Sequence, residues 1–226
     1  MSSAAWKWSG VAAFGDAVGV VFLYRGLARG RMSVVAPLSG IGAAALPTFV
    51  GFVDGERPDA LAAVGLIAAV PAILMVASVR QSASGPSGWP DGLIAGVGFG
   101  LNFLAMARLP HEAGVAGLAL MQLGAAALIT LTLTYEGRSA LHLPDLRMPA
   151  AHLFGAAITG ILAGLALLLF QIASHHGYLS ETAVLSSLYP AVTVALALTV
   201  LHERVSRIQI AGFALCAVSI GLIVSG

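Results

Sequence analysis

The chain has 226 residues, of which 58% are hydrophobic and only 9% are charged. Soluble domains carry about 25% charged residues, so a chain this apolar could not cover its surface in water, and the bilayer must be its solvent. A net charge of +1 excludes a basic surface for nucleic acid, and the lone Cys216 excludes an internal disulfide.

Apolar runs long enough to cross a membrane follow one another along the chain. A spanning helix needs about 20 mostly apolar residues. The first run follows Lys7 like a secretory signal, but Asp16 interrupts it and Arg25 closes it, so it is interpreted as a membrane helix. The sequence predicts an all-α, polytopic transmembrane helical bundle of about eight helices, with spans at 9–27, 32–53, 60–79, 92–109, 114–135, 150–172, 181–201 and 207–225.

Small residues recur at four-residue steps inside these spans. Gly92, Gly96 and Gly100 form one such series, and Gly160 and Gly164 form another. Series of this kind allow helix backbones to approach closely in lipid. A nucleotide-binding loop would need a strand before the glycines, so close helix packing is the prediction for both.

The chain also repeats itself. A shift of 147 residues superimposes positions of unusual type: Ser33 on Ser180, Ala36 on Ala183, Ser39 on Ser186, Glu56-Arg57 on Glu203-Arg204, and Gly65 on Gly212. The three-helix block at about 9–79 thus recurs at about 150–225, and two further helices precede the second copy. We expect a partial first repeat at 1–80, lacking its two leading helices, and a five-helix second repeat at 91–226. Units with an odd number of helices insert with opposite orientation, as in many secondary transporters.

The end of the second copy carries a family signature. The segment SSLYPAVTVALALTVLHERVSRIQIAGFALCAVSIGLIVSG (186–226) resembles the end of an EamA domain of the drug/metabolite transporter superfamily, and residues 36–70 are similar. The resemblance implies ten helices in two inverted repeats and export of amino acids, metabolites or drugs. The chain departs from that pattern in having eight predicted helices and His202 in place of the turn glycine. A misassigned start, a fragment and a shorter variant are three open explanations of the missing helices.

Polar residues inside the spans are the candidates for a transport path. Asp16 is interpreted either as the carrier of a proton or cation or as an interfacial carboxylate satisfied by neighbouring helices. Asn102 and Gln122, on adjacent helices, either bind a zwitterionic substrate or hold helices together.

A second group of candidates lies on one face of the span 181–201: Ser186, Tyr189, Pro190 and Thr193. Pro190 frees the carbonyl of Ser186 and permits a kink, which suits a cavity wall. The alternative is that these hydroxyls only bond back to their own helix.

Charged residues in the turns are interpreted as structural. Glu56, Arg57, Glu203 and Arg204 would hold span ends at the headgroup level, and pairing within such exposed turns contributes little. His175-His176 and His202-Glu203 do not match HExxH, so no metal site is predicted, and no cofactor is expected.

These features favour a multi-pass secondary transporter of the plasma membrane that exports a small metabolite, such as an amino acid or drug-like compound, by alternating access. The alternative is a truncated, non-transporting scaffold or remnant. No paired nucleophile and base lies at membrane depth, so an enzyme is not expected. The expected partners are a small-molecule substrate, the lipid bilayer and a proton or cation, with a homodimer as an open alternative. The orientation in the membrane also stays open. Three basic residues lie in the segments on the side of the two termini and eight lie on the opposite side, so the positive-inside rule favours external termini. The resemblance instead implies a cytoplasmic C-terminus.

Overall fold

A computed structural model describes residues 2–30, 32–76, 88–135, 150–189, 192 and 206–225. The chain is an all-α helical bundle in these ranges, which confirms the predicted fold class. Its helices are α1 (Ser3–Arg29), α2 (Met32–Val53), α3 (Ala60–Val76), α4 (Trp89–Ala107), α5 (Gly114–Tyr135), α6 (Ala150–His176), α7 (Leu179–Ser187) and α8 (Arg207–Ser225), with a 3-10 turn at His111–Ala113.

Six of the described helices are long and apolar enough to cross a bilayer, namely α1, α2, α4, α5, α6 and α8. Helix α3 has 17 residues and is apolar but shorter. The predicted span 181–201 is described at residues 181–189 and 192, with α7 as its first part, and the rest lies outside the described residues. The prediction was also wrong at the start of α1, which begins at Ser3, six residues before the predicted position.

Helix α4 packs between α1 and α2 through two faces that glycine keeps flat. A Cβ atom added to Gly96 would lie 2.8 Å from the Cα of Gly42 on α2. One added to Gly98 would lie 2.6 Å from the backbone nitrogen of Gly19 on α1. Such distances leave no room for a side chain, so glycine is what permits the approach. The close packing predicted for the Gly92–Gly100 series is confirmed.

Helices α3 and α8 form a second close, antiparallel contact. A Cβ atom on Gly65 of α3 would lie 3.1 Å from the backbone nitrogen of Ile223, and one on Gly212 of α8 would lie 2.7 Å from that of Val76. The hydroxyl of Ser219 donates a 2.7 Å hydrogen bond to the Gly65 carbonyl. A shift of 147 residues carries Gly65 onto Gly212 and Val76 onto Ile223, so each contact is the counterpart of the other.

Among the described residues, helix α6 is packed against other helices towards its C-terminal end. Phe170 stacks on Phe103 of α4 with ring centroids 4.4 Å apart. Residues 153–166 are exposed throughout, and a Cβ atom on Gly160 or Gly164 would meet none of the described residues within 4 Å. The prediction of close packing is therefore wrong at these two glycines, because no described helix lies against that part of α6.

The two glycine environments yield a matched prediction. Gly96→Ala should lower the free energy of unfolding by about 1–2 kcal/mol, because the new methyl group forces backbone apart in a tightly packed contact. Gly160→Ala should leave stability unchanged or raise it by up to about 1 kcal/mol, since alanine favours a helix and the space is open. Thermal unfolding of both purified variants, compared with the unmodified chain, measures the difference. Equal midpoints would contradict the packing described for α4.

Candidate functional site

Asp16 lies at the centre of α1, beside Asn102 of α4. Because α1 begins at Ser3, Asp16 is thirteen residues from either end, or about 20 Å along the helix. The amide Nδ2 of Asn102 donates a long hydrogen bond, 3.4 Å, to Oδ1 of Asp16. The adjacent Gly15 brings the helices together, since a Cβ atom there would lie 2.7 Å from the Asn102 backbone nitrogen. This central position is at odds with an interfacial carboxylate.

The amide oxygen of Asn102 is a second notable atom in this pair. Its side chain is buried, and its Oδ1 atom has no hydrogen-bond partner among the described residues. A buried acceptor without a donor is costly. Asp16 supplies a carboxylate directly beside it. Together the two side chains present acceptor atoms that suit a cationic donor such as an ammonium group or a proton carrier.

A second polar contact joins the two parts of the chain that the repeat relates. The hydroxyl oxygens of Ser39 on α2 and Tyr189, two residues after α7, lie 3.0 Å apart. Ser39 is completely buried and also donates to the Ala36 carbonyl at 2.8 Å, so Tyr189 is the donor in their shared hydrogen bond when Ser39 bonds to Ala36. Tyr189 remains 39% exposed, so one part of its ring faces away from the packed interior.

Other predicted residues of this face are placed differently. Ser186 is half-buried on α7, whereas Pro190 and Thr193 lie outside the described residues. Two neighbouring hydroxyls follow the alternative interpretation, because Thr182 donates to the Tyr178 carbonyl and Ser187 to the Val184 carbonyl. The face is thus mixed, with Tyr189 reaching across to another helix and its neighbours bonding to their own.

Gln122 is not brought to Asn102. Its exposed side chain lines a shallow, mostly apolar cleft between α5 and α6, together with Leu118 and Leu165. The helices α4 and α5 are adjacent in sequence, but Asn102 faces α1 whereas Gln122 faces away from it. The structure therefore groups Asp16 with Asn102 and leaves Gln122 apart.

Glu56 makes a contact that the sequence analysis missed. Its carboxylate accepts hydrogen bonds from the backbone nitrogens of Leu179, at 2.6 Å, and Ser180, at 3.0 Å. These are the first two residues of α7, whose N–H groups have no partner within the helix. Glu56 therefore caps α7 from the α2–α3 turn. In the sequence, the 147-residue repeat that places Glu56 on Glu203 was the one sign that this position is unusual.

The remaining turn charges have more local roles. Arg57 donates to the carbonyls of Phe52 and Glu56, so it stabilises its own turn. Asp54 in the same turn pairs with Arg108 at the end of α4, and both side chains are exposed. Glu203 and Arg204 lie outside the described residues.

An apolar cleft of about 300 Å³ opens between α2, α3 and α7, the helices that Glu56 ties together. Ile41, Phe49, Leu66 and Val184 contribute to its walls. Thr48 lines it too, and its buried hydroxyl has no hydrogen-bond partner among the described residues. The cleft suits a small, largely apolar group with one polar atom.

Histidines meet where α6 ends. His175 and His111 place their Nδ1 atoms 3.1 Å apart, and His176 bonds to the Ile172 carbonyl. Within the described ranges, no group of three or more His, Cys, Asp or Glu side chains is close enough to hold a metal ion.

Comparison with known proteins identifies the larger part of the chain. No curated protein matches. A solved structure, described only as the crystal structure of a protein, superimposes with a TM-score of 0.77 at 17% sequence identity, over 95% of this chain and 76% of that one. That likeness shows a shared fold. Residues 91–225, more than half of the chain, match the EamA-like transporter family. The chain is a multi-pass membrane protein that belongs to the EamA-like transporter family.

Proposed function

We propose that the chain is a secondary transporter of the plasma membrane that exports a small metabolite and couples that export to a proton or cation. The pair formed by Asp16 and Asn102 carries this proposal. An ionisable group at the middle of a membrane helix is costly and usually marks a substrate or ion path. Here the carboxylate stands beside a buried, unpartnered acceptor, which favours a site that exchanges a cationic donor.

Alternating access between inverted repeats is the mechanism that we propose. The reciprocal contacts of Gly65 with Ile223 and of Gly212 with Val76 support it. A twofold relation between two antiparallel helices produces such paired contacts. Units at 1–80 and 91–226 would then move against each other about this axis, exposing the Asp16 pair to one side of the membrane at a time.

The proposed substrate class combines the Asp16 pair with a second feature, the apolar cleft. The apolar cleft between α2, α3 and α7, with Thr48 in its wall, suits a small amphipathic molecule. An amino acid with an apolar side chain combines that property with an ammonium group for Asp16 and Asn102. Bulky or highly charged substrates fit these features poorly.

The test uses the full chain reconstituted in liposomes preloaded with a mixture of isotopically labelled amino acids. We expect efflux of at least one apolar amino acid, faster under an inward proton gradient than without one. A set of cationic drug-like dyes serves as the second substrate panel. No gradient-dependent flux in either panel would overturn the proposed function.

Tyr189 provides a first mutational test. Tyr189→Phe removes the hydroxyl that bonds to Ser39 and should reduce substrate efflux by about fivefold, since a hydrogen bond contributes about 1 kcal/mol. Tyr135→Phe, at the exposed end of α5, removes a hydroxyl far from this contact and should leave efflux unchanged. Efflux equal in both variants would remove Tyr189 from the proposed path.

The second candidate function is a non-transporting membrane scaffold. The surface of α6 over residues 153–166 favours it, because no described helix covers this apolar face and another membrane protein could pack against it. A scaffold would show no flux in the liposome assay yet would insert and fold normally. Flux with gradient dependence excludes it.

A further inference from the structure

A cleft of about 450 Å³ runs between α1 and α5, and on α1 its lining begins at Val20, one helical turn beyond Asp16. Its wall includes both apolar and basic side chains, in contrast to the apolar cleft near α7. The cleft is lined by Val20, Val21, Tyr24, Arg25, Ala28, Arg29, Ile129, Thr132 and Leu133.

The polar groups of this cleft lie at one end. Helices α1 and α5 run in the same direction, because Ser9 bonds to the Gly117 carbonyl and Ala13 packs against Gly124 further along. Arg29 therefore lies at the same membrane surface as the end of α5. Val20 and Ile129 lie about 13 Å and 9 Å deeper along their helices than these ends. The cleft is basic at the membrane surface and apolar towards the bilayer centre.

One positive charge at the basic end has no counter-charge among the described residues. Asp91 of α4 accepts a 3.0 Å hydrogen bond from Nε of Arg25, and the Arg25 guanidinium also lies 4.1 Å from the Phe22 ring centroid. Arg29 is exposed, and no described carboxylate pairs with it. Asp91 thus neutralises Arg25, and the Arg29 guanidinium can bind one further negative charge.

We propose that this cleft binds an anionic phospholipid, with the phosphodiester at Arg29 and one acyl chain along Val20, Val21 and Ile129. Charge complementarity selects the headgroup, because arginine binds phosphate oxygens in a bidentate manner and one phosphodiester carries one negative charge. The apolar depth of the cleft selects a lipid over a soluble anion. Exposed Tyr24 has the amphipathic ring that is typical of the headgroup level.

The distribution of basic residues agrees with this occupant. Eight of the eleven Lys and Arg residues lie in the segments on the Arg29 side of the predicted bundle. The positive-inside rule associates such a surface with the cytoplasmic leaflet, whose anionic lipids attract basic pockets between membrane helices.

The test compares phosphatidylglycerol with phosphatidylcholine as bound lipids on the full chain. Purified protein is exchanged into equimolar mixtures of both, and retained lipid is counted by native mass spectrometry. The unmodified chain should retain phosphatidylglycerol preferentially, and Arg29→Gln should reduce that retention by about fivefold to tenfold. Arg207→Gln, an exposed arginine at the start of α8, is the matched control and should not alter retention.

Three results would overturn the proposal. The first is equal retention of the two lipids by the unmodified chain, and the second is an equal loss in Arg29→Gln and Arg207→Gln. The third is displacement of phosphatidylglycerol by millimolar inorganic phosphate, which would assign the cleft to a soluble anion. Unfolding midpoints in lipid-free detergent check that Arg29→Gln retains its fold. If that variant fails this check, Ile129→Trp, which fills the apolar end, must reduce retention instead, and retention equal to the unmodified chain would overturn the proposal.

Discussion

Replacing Glu56 with glutamine should lower the free energy of unfolding by about 2 kcal/mol, because it weakens two charge-assisted hydrogen bonds to the start of α7. A glutamine oxygen still accepts one N–H group, but its amide nitrogen is a donor and cannot accept the other. The negative charge that complements the positive end of the helix dipole is lost as well. Thermal unfolding of the purified chain measures the change.

The consequence should be local as well as global. Amide hydrogen exchange in residues 179–187 should accelerate in Glu56→Gln, since α7 loses the anchor at its first turn. Substrate efflux should also fall in Glu56→Gln, because Tyr189 lies only two residues after the end of α7. Glu112→Gln is the matched control, an exposed carboxylate in a neighbouring turn that should alter neither stability nor exchange. Identical exchange in the two variants would show that the cap does not hold α7.

Asp16→Asn should reduce gradient-driven efflux by at least about tenfold while leaving insertion and folding intact. Asparagine has nearly the same shape, so the contact between α1 and α4 at Gly15 is retained. Its amide cannot bind and release a proton, and it carries no charge to attract a cation. Efflux from liposomes, with a pH-sensitive dye reporting proton movement, measures both substrate and coupling ion.

Two comparisons separate coupling from structure in this experiment. Asp59→Asn changes an exposed carboxylate whose capping bond to the Ala62 nitrogen asparagine also makes, and it should transport normally. Asn102→Ala should weaken transport without removing its dependence on the proton gradient, because Asp16 remains. Unchanged gradient-driven efflux in Asp16→Asn would exclude Asp16 as the carrier of the coupling ion.

The sequence predicted the helices well, because lipid imposes a long apolar run on every spanning segment. Its errors lie where a boundary depends on more than apolarity. Helix α1 continues back to Ser3 past Lys7, whose long side chain is compatible with a helix at the membrane surface. That extension moves Asp16 from near one end to the centre of the helix, and this changes the interpretation of its carboxylate.

Contacts between distant residues were harder to predict. The glycine series of α4 and the glycine pair of α6 look alike in sequence, yet within the described part of the chain only the α4 series is packed against other helices. Likewise, Asn102 and Gln122 lie mid-span on neighbouring helices, but rotation about each helix axis directs only Asn102 towards Asp16. A helix pattern indicates which side chains share a face and does not specify what that face meets.

Composition and hydropathy by themselves determined that the chain is a polytopic helical membrane protein, and the 147-residue repeat indicated how its segments relate. Only the tertiary structure decided that Asn102 joins Asp16, that Tyr189 joins Ser39 and that Glu56 caps α7. The reason is physical. The cost of exposing polar backbone to lipid acts on each segment alone and can be seen in its sequence. The partner of a buried polar side chain depends on which helices pack together and at what rotation.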